Sequence, residues 1–422
     1  VGDNFTGDDP SERLPGHIAI GHNRYSTAGQ PILRDVQPLY SELNNGGFAL
    51  AHNGHITNAY TIKNALVEKG ALFQSTSDTE VVLHLVARST GKEFVDRFVS
   101  AIRQIDGGYA FVGMTKDCLI GARDRFGIRP LLIGRINHSY VLASESCAFD
   151  MVGAKFIREV DPGEVVVIND DGIRSFTAFP NAIKRPCIFE FVYFSRPDSI
   201  VDGKSVYEVR KRMGRRLAQE TPADVDVIIP VPDSGVPAAL GYSQETGIPF
   251  ELGIIRNHYV GRTFIQPTQG MRDMGVRLKH SANRSMIEGK RVLLVDDSIV
   301  RGTTSTKIVR MIKAAGAKEV HFRSASPPIK FPDHYGIDMP SKDKLIASNY
   351  SLEEMRSMLE VDSLGFLSIE GLYWAMEEEM RNDAAPQYTD HCFTGDYPTP
   401  LIDRDRELAG GGKQLSFLVE VA

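Results

Sequence analysis

Residues Arg291–Lys307, RVLLVDDSIVRGTTSTK, set the fold of the second half of this 422-residue chain. An apolar run, Val292 to Val295, ends on two adjacent carboxylates, Asp296 and Asp297. Arg301 and the small, hydroxyl-rich run Gly302-Thr303-Thr304-Ser305-Thr306 come next. A helical pattern then begins, with Ile308, Met311, Ile312 and Ala315 at i, i+3, i+4 and i+7. Gly316 is a natural stop, and KEVHFRSAS reads as the following strand. Strand, loop, helix and strand make a βαβ unit, hence a parallel sheet with its ligand beyond the strand C-termini.

The chemistry follows from the loop. A helix N-terminus presents unpaired N–H groups and the positive end of its dipole, which suits phosphate. Gly302 permits close backbone approach, and Thr303, Thr304 and Ser305 add hydroxyl donors. The GxxxxGK[ST] spacing of a Walker loop is absent. Two carboxylates beside a phosphate would repel it unless they face a ribose diol or Mg²⁺, both of which want anionic oxygen. A sugar phosphate with a metal reconciles the two. The ordinary alternative is a solvated acidic turn before a capped helix; the apolar strand before it and GTTS after it weigh against that.

Upstream, VDVIIPV (225–231) reads as a buried strand, followed by the turn PDSG with Ser234 and a helix-like VPAALGYSQETG. Between the two units, 256–291 carries eight Lys/Arg against two acids and is punctuated by glycine. It reads as a lid whose cations would stabilise a departing pyrophosphate, or else as a basic surface loop.

The first half has a different rhythm. FALAHNG, YAFVGMT, CLIGARD, PLLIGRI, YVLASES and EVVVIND are strand-like runs, and SDTEVVLHLVA (77–87) reads as a helix. Strands with helices in blocks predict an α+β layered sandwich. GHNRYSTAGQP (21–31), AHNGHITN (51–58) and SDTE (77–80) carry its candidate chemistry. Arg24 suits a substrate carboxylate, Asn53 and the Gly54 N–H an oxyanion, and Asp78 an α-ammonium, which together fit an amino-acid amide such as glutamine. Singly, Asn-Gly is a hairpin turn and SDTE a helix cap.

Composition is ordinary: 42% hydrophobic, 24% charged, net −6. This argues against a general nucleic-acid binder, and no apolar run approaches a membrane span. Cys118, Cys147, Cys187 and Cys392 are scattered, which fits a reducing cytoplasm.

VLLVDDSIVRGTT resembles the phosphoribosyl-pyrophosphate (PRPP) signature of the type I phosphoribosyltransferases. That resemblance gives Asp296 and Asp297 the ribose hydroxyls, directly or through Mg²⁺, and gives Arg301 through Ser305 the 5-phosphate. Ser234 becomes a candidate metal ligand in a pyrophosphate loop. YVGRTFI resembles the flexible loop of the amidophosphoribosyltransferase family, making Tyr259, Arg262 and Thr263 lid contacts. The three N-terminal motifs resemble the class II glutamine amidotransferase domain. The implied architecture is an α+β N-terminal-nucleophile hydrolase sandwich, incomplete at its start, over 1–183. An α/β type I phosphoribosyltransferase domain follows over 184–385, then a tail over 386–422.

The resemblance implies ammonia, released from glutamine, displacing pyrophosphate at ribose C1 to give 5-phosphoribosylamine. It also implies a homo-oligomer and purine nucleotides as inhibitors. The family's nucleophile is an N-terminal cysteine heading a CGIxG stretch; the sequence begins at Val1, and none of its cysteines lies in that context. A truncated start, and transfer from free ammonia alone, are therefore expected. Some members carry a [4Fe–4S] cluster on four cysteines. Here Cys187 and Cys392 hold two of those positions, Asp333 and Thr389 the others, so no cluster is expected. Two rival readings are a PRPP-binding regulator without catalysis and an amidotransferase with a sugar-isomerase partner domain. YVGRTF and the lack of a helix-turn-helix motif weigh against the first, and VDDSIVRGTTS against the second.

Overall fold

A computed structural model describes residues 16–23, 33–44, 46–257 and 280–403. Strands β1 (Leu39–Leu43), β2 (Gly46–Ile56), β3 (Gly107–Met114) and β4 (Leu119–Arg123) open the first half. Strands β5 (Leu132–Ile136), β6 (Ser139–Ala143), β7 (Lys155–Glu159), β8 (Glu164–Asn169) and β9 (Gly172–Thr177) complete it. They form a six-stranded antiparallel sheet, β1-β2-β3-β4-β8-β9, and a three-stranded one, β6-β5-β7.

Alternation along single strands shows how the layers stack. Tyr109 and Phe111 of β3, with Val165 and Val167 of β8, pack into one core with helices α1 (Ala59–Val67), α2 (Thr79–Arg88) and α3 (Phe94–Ile102). Their neighbours Ala110 and Val166 face the opposite way, against Leu131, Ile133 and Val160. A period of two puts successive side chains on opposite faces, so one sheet serves two cores. The predicted sandwich is present.

The second half contains α4 (Val206–Glu220), β10 (Val227–Pro230), α5 (Val236–Thr246), β11 (Arg291–Asp296), α6 (Thr303–Ala314), β12 (Glu319–Ser324) and β13 (Ser363–Phe366). The four strands make a parallel sheet in the order β10-β11-β12-β13. Both faces are covered, as parallel sheets require. Ile228, Leu293 and Val295 face a core with Met213, Leu217 and Ala239, while Val227, Ile229, Val292 and Leu294 face Ile308, Val309 and Ile312 of α6. Full burial of each such side chain is worth about 1.5–3 kcal/mol. The helix predicted from its apolar spacing therefore lies where it was read.

The halves are stitched at two places. The linker hydrogen-bonds to the first half through Arg185 N to Phe126 O (2.7 Å) and Cys187 N to Ile128 O (3.2 Å), and pairs with the C-terminal segment through Thr389 N to Pro186 O (2.8 Å). That segment then crosses back to the first half. Asp403 accepts from the Tyr60 N–H (2.7 Å) and the Thr61 hydroxyl (2.6 Å), capping α1 from a distant part of the chain. Residues 386–403 of the expected tail are thus built into the fold. Among the described residues, no helix is long and apolar enough to cross a membrane.

Candidate active sites

The transferase site forms where two parallel strands end side by side. Val231 N–H donates to Val295 O (2.9 Å), so the turn after β10 sits against the end of β11. Gly235 lies so close to the Val295 and Val231 carbonyls that a Cβ would collide with both. This turn brings the Ser234 hydroxyl into hydrogen bonding with Asp297. Ser298 Oγ also donates to Asp297 (2.5 Å), and the Asp297 N–H donates to Asp296 Oδ1 (2.9 Å).

Both carboxylates are nearly buried, at 8% and 7% exposure. Burial, reinforced by the neighbouring Asp297 charge, pushes Asp296 well above the usual carboxylate range. Burial raises Asp297 too, against hydrogen bonds from Ser234 and Ser298 and the charge of Arg210. Two acids in this position do not both ionise without a compensating cation. A divalent ion or a vicinal diol facing them would meet that requirement, so the donor set fits Mg²⁺.

The phosphate side matches the same reading. Gly302 has φ of 76° and stands directly before α6, a left-handed conformation that favours glycine. Thr303, Thr304 and Arg301 are exposed, whereas Ser305 is buried. Thr303 and Thr304 are therefore open to solvent in the first turn of α6, where the leading N–H groups have no intrahelical partner. Tyr259, Arg262 and Thr263 lie outside the described residues, as does Arg24.

In the first half, Asn53 and Gly54 stand inside β2, not in a hairpin turn; the strand continues to Ile56. Gly54 has φ of 132°, and a Cβ there would strike the Gly108 carbonyl of β3. Gly336, from the second half, packs so closely that its own Cβ would lie 2.6 Å from Gly54 Cα. Asp78 precedes α2 but makes no side-chain cap there. It accepts instead from the Ile56 N–H (2.9 Å) and pairs with His52 (3.7 Å) and His55 (3.2 Å). Burial opposes its charge, yet the two histidines hold its pKa well below the usual range. Asp78 is therefore a carboxylate held toward its charged form against the end of β2, the strand that also carries Asn53. The histidines flanking Asn53 in AHNGH are the clue that sequence reading left unused.

The four cluster positions converge with unequal chemistry. Cys187 and Cys392 are buried thiols, both pushed upward by burial. Asp333 is already committed: it meets His391 Nε2 (2.8 Å) and accepts from the Tyr335 (2.8 Å) and Ile337 (2.6 Å) N–H groups. Thr389 Oγ1 donates to Arg185 O (2.6 Å). Ligand atoms of Asp333, His391 and Cys392 lie within 4.8 Å of one another. A metal-bound imidazole normally donates its other nitrogen's proton, however, and His391 Nδ1 has no partner. The donors do not match a cluster held by four thiolates.

A pair of acids at the end of a central parallel strand, with a hydroxyl-rich helix start, joined to a layered sandwich, points to a glutamine-dependent phosphoribosyltransferase. Comparison with known proteins agrees. A family model described as a glutamine amidotransferase domain matches residues 22–151, and one described as a phosphoribosyl transferase domain matches 198–325. The amidophosphoribosyltransferase of Rhizobium etli is 59% identical, covering 99% of this chain and 85% of that protein. The Bacillus subtilis enzyme is 50% identical, covering 92% and 82%. A B. subtilis glutamine PRPP amidotransferase structure, complexed with ADP and GMP, superposes with a TM-score of 0.84 at 49% identity, covering 90% of this chain and 83% of that one. The chain belongs to the amidophosphoribosyltransferase family. Its fold is the N-terminal-nucleophile hydrolase sandwich followed by a type I phosphoribosyltransferase domain.

Proposed function

We infer that this chain transfers ammonia to PRPP, releasing pyrophosphate and forming 5-phosphoribosylamine, the first committed step of purine synthesis. The buried Asp296–Asp297 pair beside the start of α6 carries this reading. Asp296 and Asp297 take the ribose hydroxyls, and Gly302 through Ser305 with Arg301 take the 5-phosphate. Ser234, Asp296 and Asp297 would hold Mg²⁺, which when bound offsets charge on the leaving pyrophosphate. Asn53 and Gly54 serve as the oxyanion hole and Asp78 as the ammonium site for glutamine, with Arg24 on its carboxylate. Domain limits follow the linker: 1–183 for the glutaminase half, 184–385 for the transferase half and 386–422 for a C-terminal tail, of which residues up to Asp403 reach the first half. Purine nucleotides fit as inhibitors, given the ADP and GMP of the B. subtilis structure. A cytoplasmic setting fits the four unpaired cysteines, and the homo-oligomer follows from the family resemblance alone.

The test is pyrophosphate release from PRPP with ammonium as the nitrogen source. Release that depends on both ammonium and Mg²⁺, and stops when the metal is chelated, is the expected result. PRPP binding without release would move the assignment to a regulator.

The same reading has no iron–sulfur cluster at Cys187, Asp333, Thr389 and Cys392. Anaerobically purified chain is expected to be colourless, without thiolate-to-iron absorption, and equally active after exposure to air. A brown protein that bleaches and loses activity in air would overturn this.

A further inference from the structure

We propose that His55 tunes the glutamine subsite by competing with the substrate's α-ammonium for Asp78, so that glutamine binds tightly only when the imidazole is neutral. The proposal rests on the role given above to Asp78.

The two oxygens of Asp78 are unequally used. Oδ2 accepts from the Ile56 N–H (2.9 Å) and meets His55 Nδ1 (3.2 Å). Oδ1 is approached by His52 Nδ1 at 3.7 Å, too long for a hydrogen bond, and so keeps acceptor capacity for an ammonium. A carboxylate can only accept, so neutral His55 carries its proton on Nδ1 and gives Asp78 one hydrogen bond without cancelling its charge. A second proton, on Nε2, turns that hydrogen bond into an ion pair. It also sets a positive charge beside the place where the ligand's ammonium must come, and like charges there oppose each other.

His52 does not serve in this way. Its side chain is 1% exposed, its Nδ1 meets the Thr79 hydroxyl (3.1 Å) and its Nε2 has no partner, so a proton there would enclose an unpaired charge. The His55 side chain is 23% exposed and can take its proton from solvent. The other ionisable groups around this end of β2 are engaged elsewhere. On α2, Glu80 accepts from the Ser75 N–H (2.7 Å). Gly108 stands opposite His55 on β3, and Asp106, just before that strand, offers its carbonyl to the Thr57 N–H (2.8 Å). The loop that reaches Gly54 from the second half carries Asp333, which pairs with His391, and His334, whose ring lies 5.4 Å from that of Tyr397. Asp78 itself keeps its charge wherever an imidazole titrates, its pKa lying well below the usual range despite burial. A change of affinity with pH therefore reports His55.

Calorimetric titration of the full chain with glutamine, from about pH 5.5 to about pH 8, tests this. The wild-type Kd is expected to fall about tenfold as pH rises through the imidazole range, with proton release on binding at the acid end. Linkage then requires glutamine to weaken proton binding at His55 by the same factor, read from the imidazole NMR titration with and without ligand. His55→Asn keeps an N–H donor for Asp78 but cannot gain a proton. Its Kd should stay constant within about twofold over the range and match the wild type at about pH 8. A His55 that served structure alone would change affinity equally at every pH. Wild-type affinity that is flat with pH, or a pH dependence that survives in His55→Asn, overturns the competition. Glutamine that fails to bind the wild type at any pH, or binds Asp78→Asn as well as the wild type, overturns the ammonium site, and the competition with it.

Discussion

Replacing Asp296 and Asp297 together by asparagine is expected to lower ammonium-dependent pyrophosphate release by roughly 10³-fold or more, since removing even one preorganised electrostatic contact in an enzyme costs about 10²–10³. The carboxylates end a central strand of the sheet, and both are enclosed. Asparagine keeps their shape and supplies one acceptor oxygen, but no charge for a cation or a ribose diol. The same change should leave the fold intact or make it slightly more stable. Burial and mutual repulsion hold Asp296 well above the normal range, so the unliganded protein bears a cost that neutral amides remove. Activity and stability are therefore expected to move apart: turnover collapses while the melting temperature is unchanged or higher. Turnover within tenfold of wild type would remove both acids from the site. A collapse in stability alongside activity would make the pair structural.

What could be read from sequence was the part whose signal is local. The apolar runs of β10 and β11, the paired acids and the spacing of Ile308, Met311 and Ile312 lie within a few residues of one another, and each fixes one element. Strands β1, β7 and β9 were not anticipated. Their burial patterns are mixed or mostly exposed, for instance with Lys155, Phe156 and Ile157 of β7 exposed and Arg158 and Glu159 half-buried, and neighbours pairing across the sheet define them more than their own residues do. Asp78 illustrates the same limit. SDTE before a helix reads equally as a cap or as a site, and only the approach of β2, bringing His52, His55 and the Ile56 N–H, decides it. The buried Arg129–Glu190 ion pair joins residues of the two halves, and no spacing rule links them. The lid residues Tyr259, Arg262 and Thr263 remain assigned from resemblance, because they lie outside the described residues.

Asp333→Ala is expected to destabilise the protein by about 3–5 kcal/mol, the range for removing one partner of a buried pair. Asp333 is enclosed and serves three donors: His391 Nε2 and the N–H groups of Tyr335 and Ile337. Alanine leaves all three buried without an acceptor, each at a cost of about 1–3 kcal/mol before relaxation. The effect reaches beyond the residue, since Gly336, between those two N–H groups, is the point packed against Gly54. The loop therefore loses the carboxylate that folds it against the first half. Acid should diminish the difference between variant and wild type. Burial works against the Asp333 charge, but His391 and the two backbone N–H groups still hold its pKa below the normal value. A carboxylate depressed in the folded state contributes its stabilisation above the unfolded pKa of about 3.9 and loses it as pH falls toward the folded value. Urea unfolding of both proteins should show the full gap near neutral pH and a shrinking one below about pH 4. A gap under about 1 kcal/mol near neutrality would mean that solvent or a rearranged loop satisfies the freed donors. A gap that stays constant into acid would mean that Asp333 contributes as a neutral acceptor, with its charge playing no part.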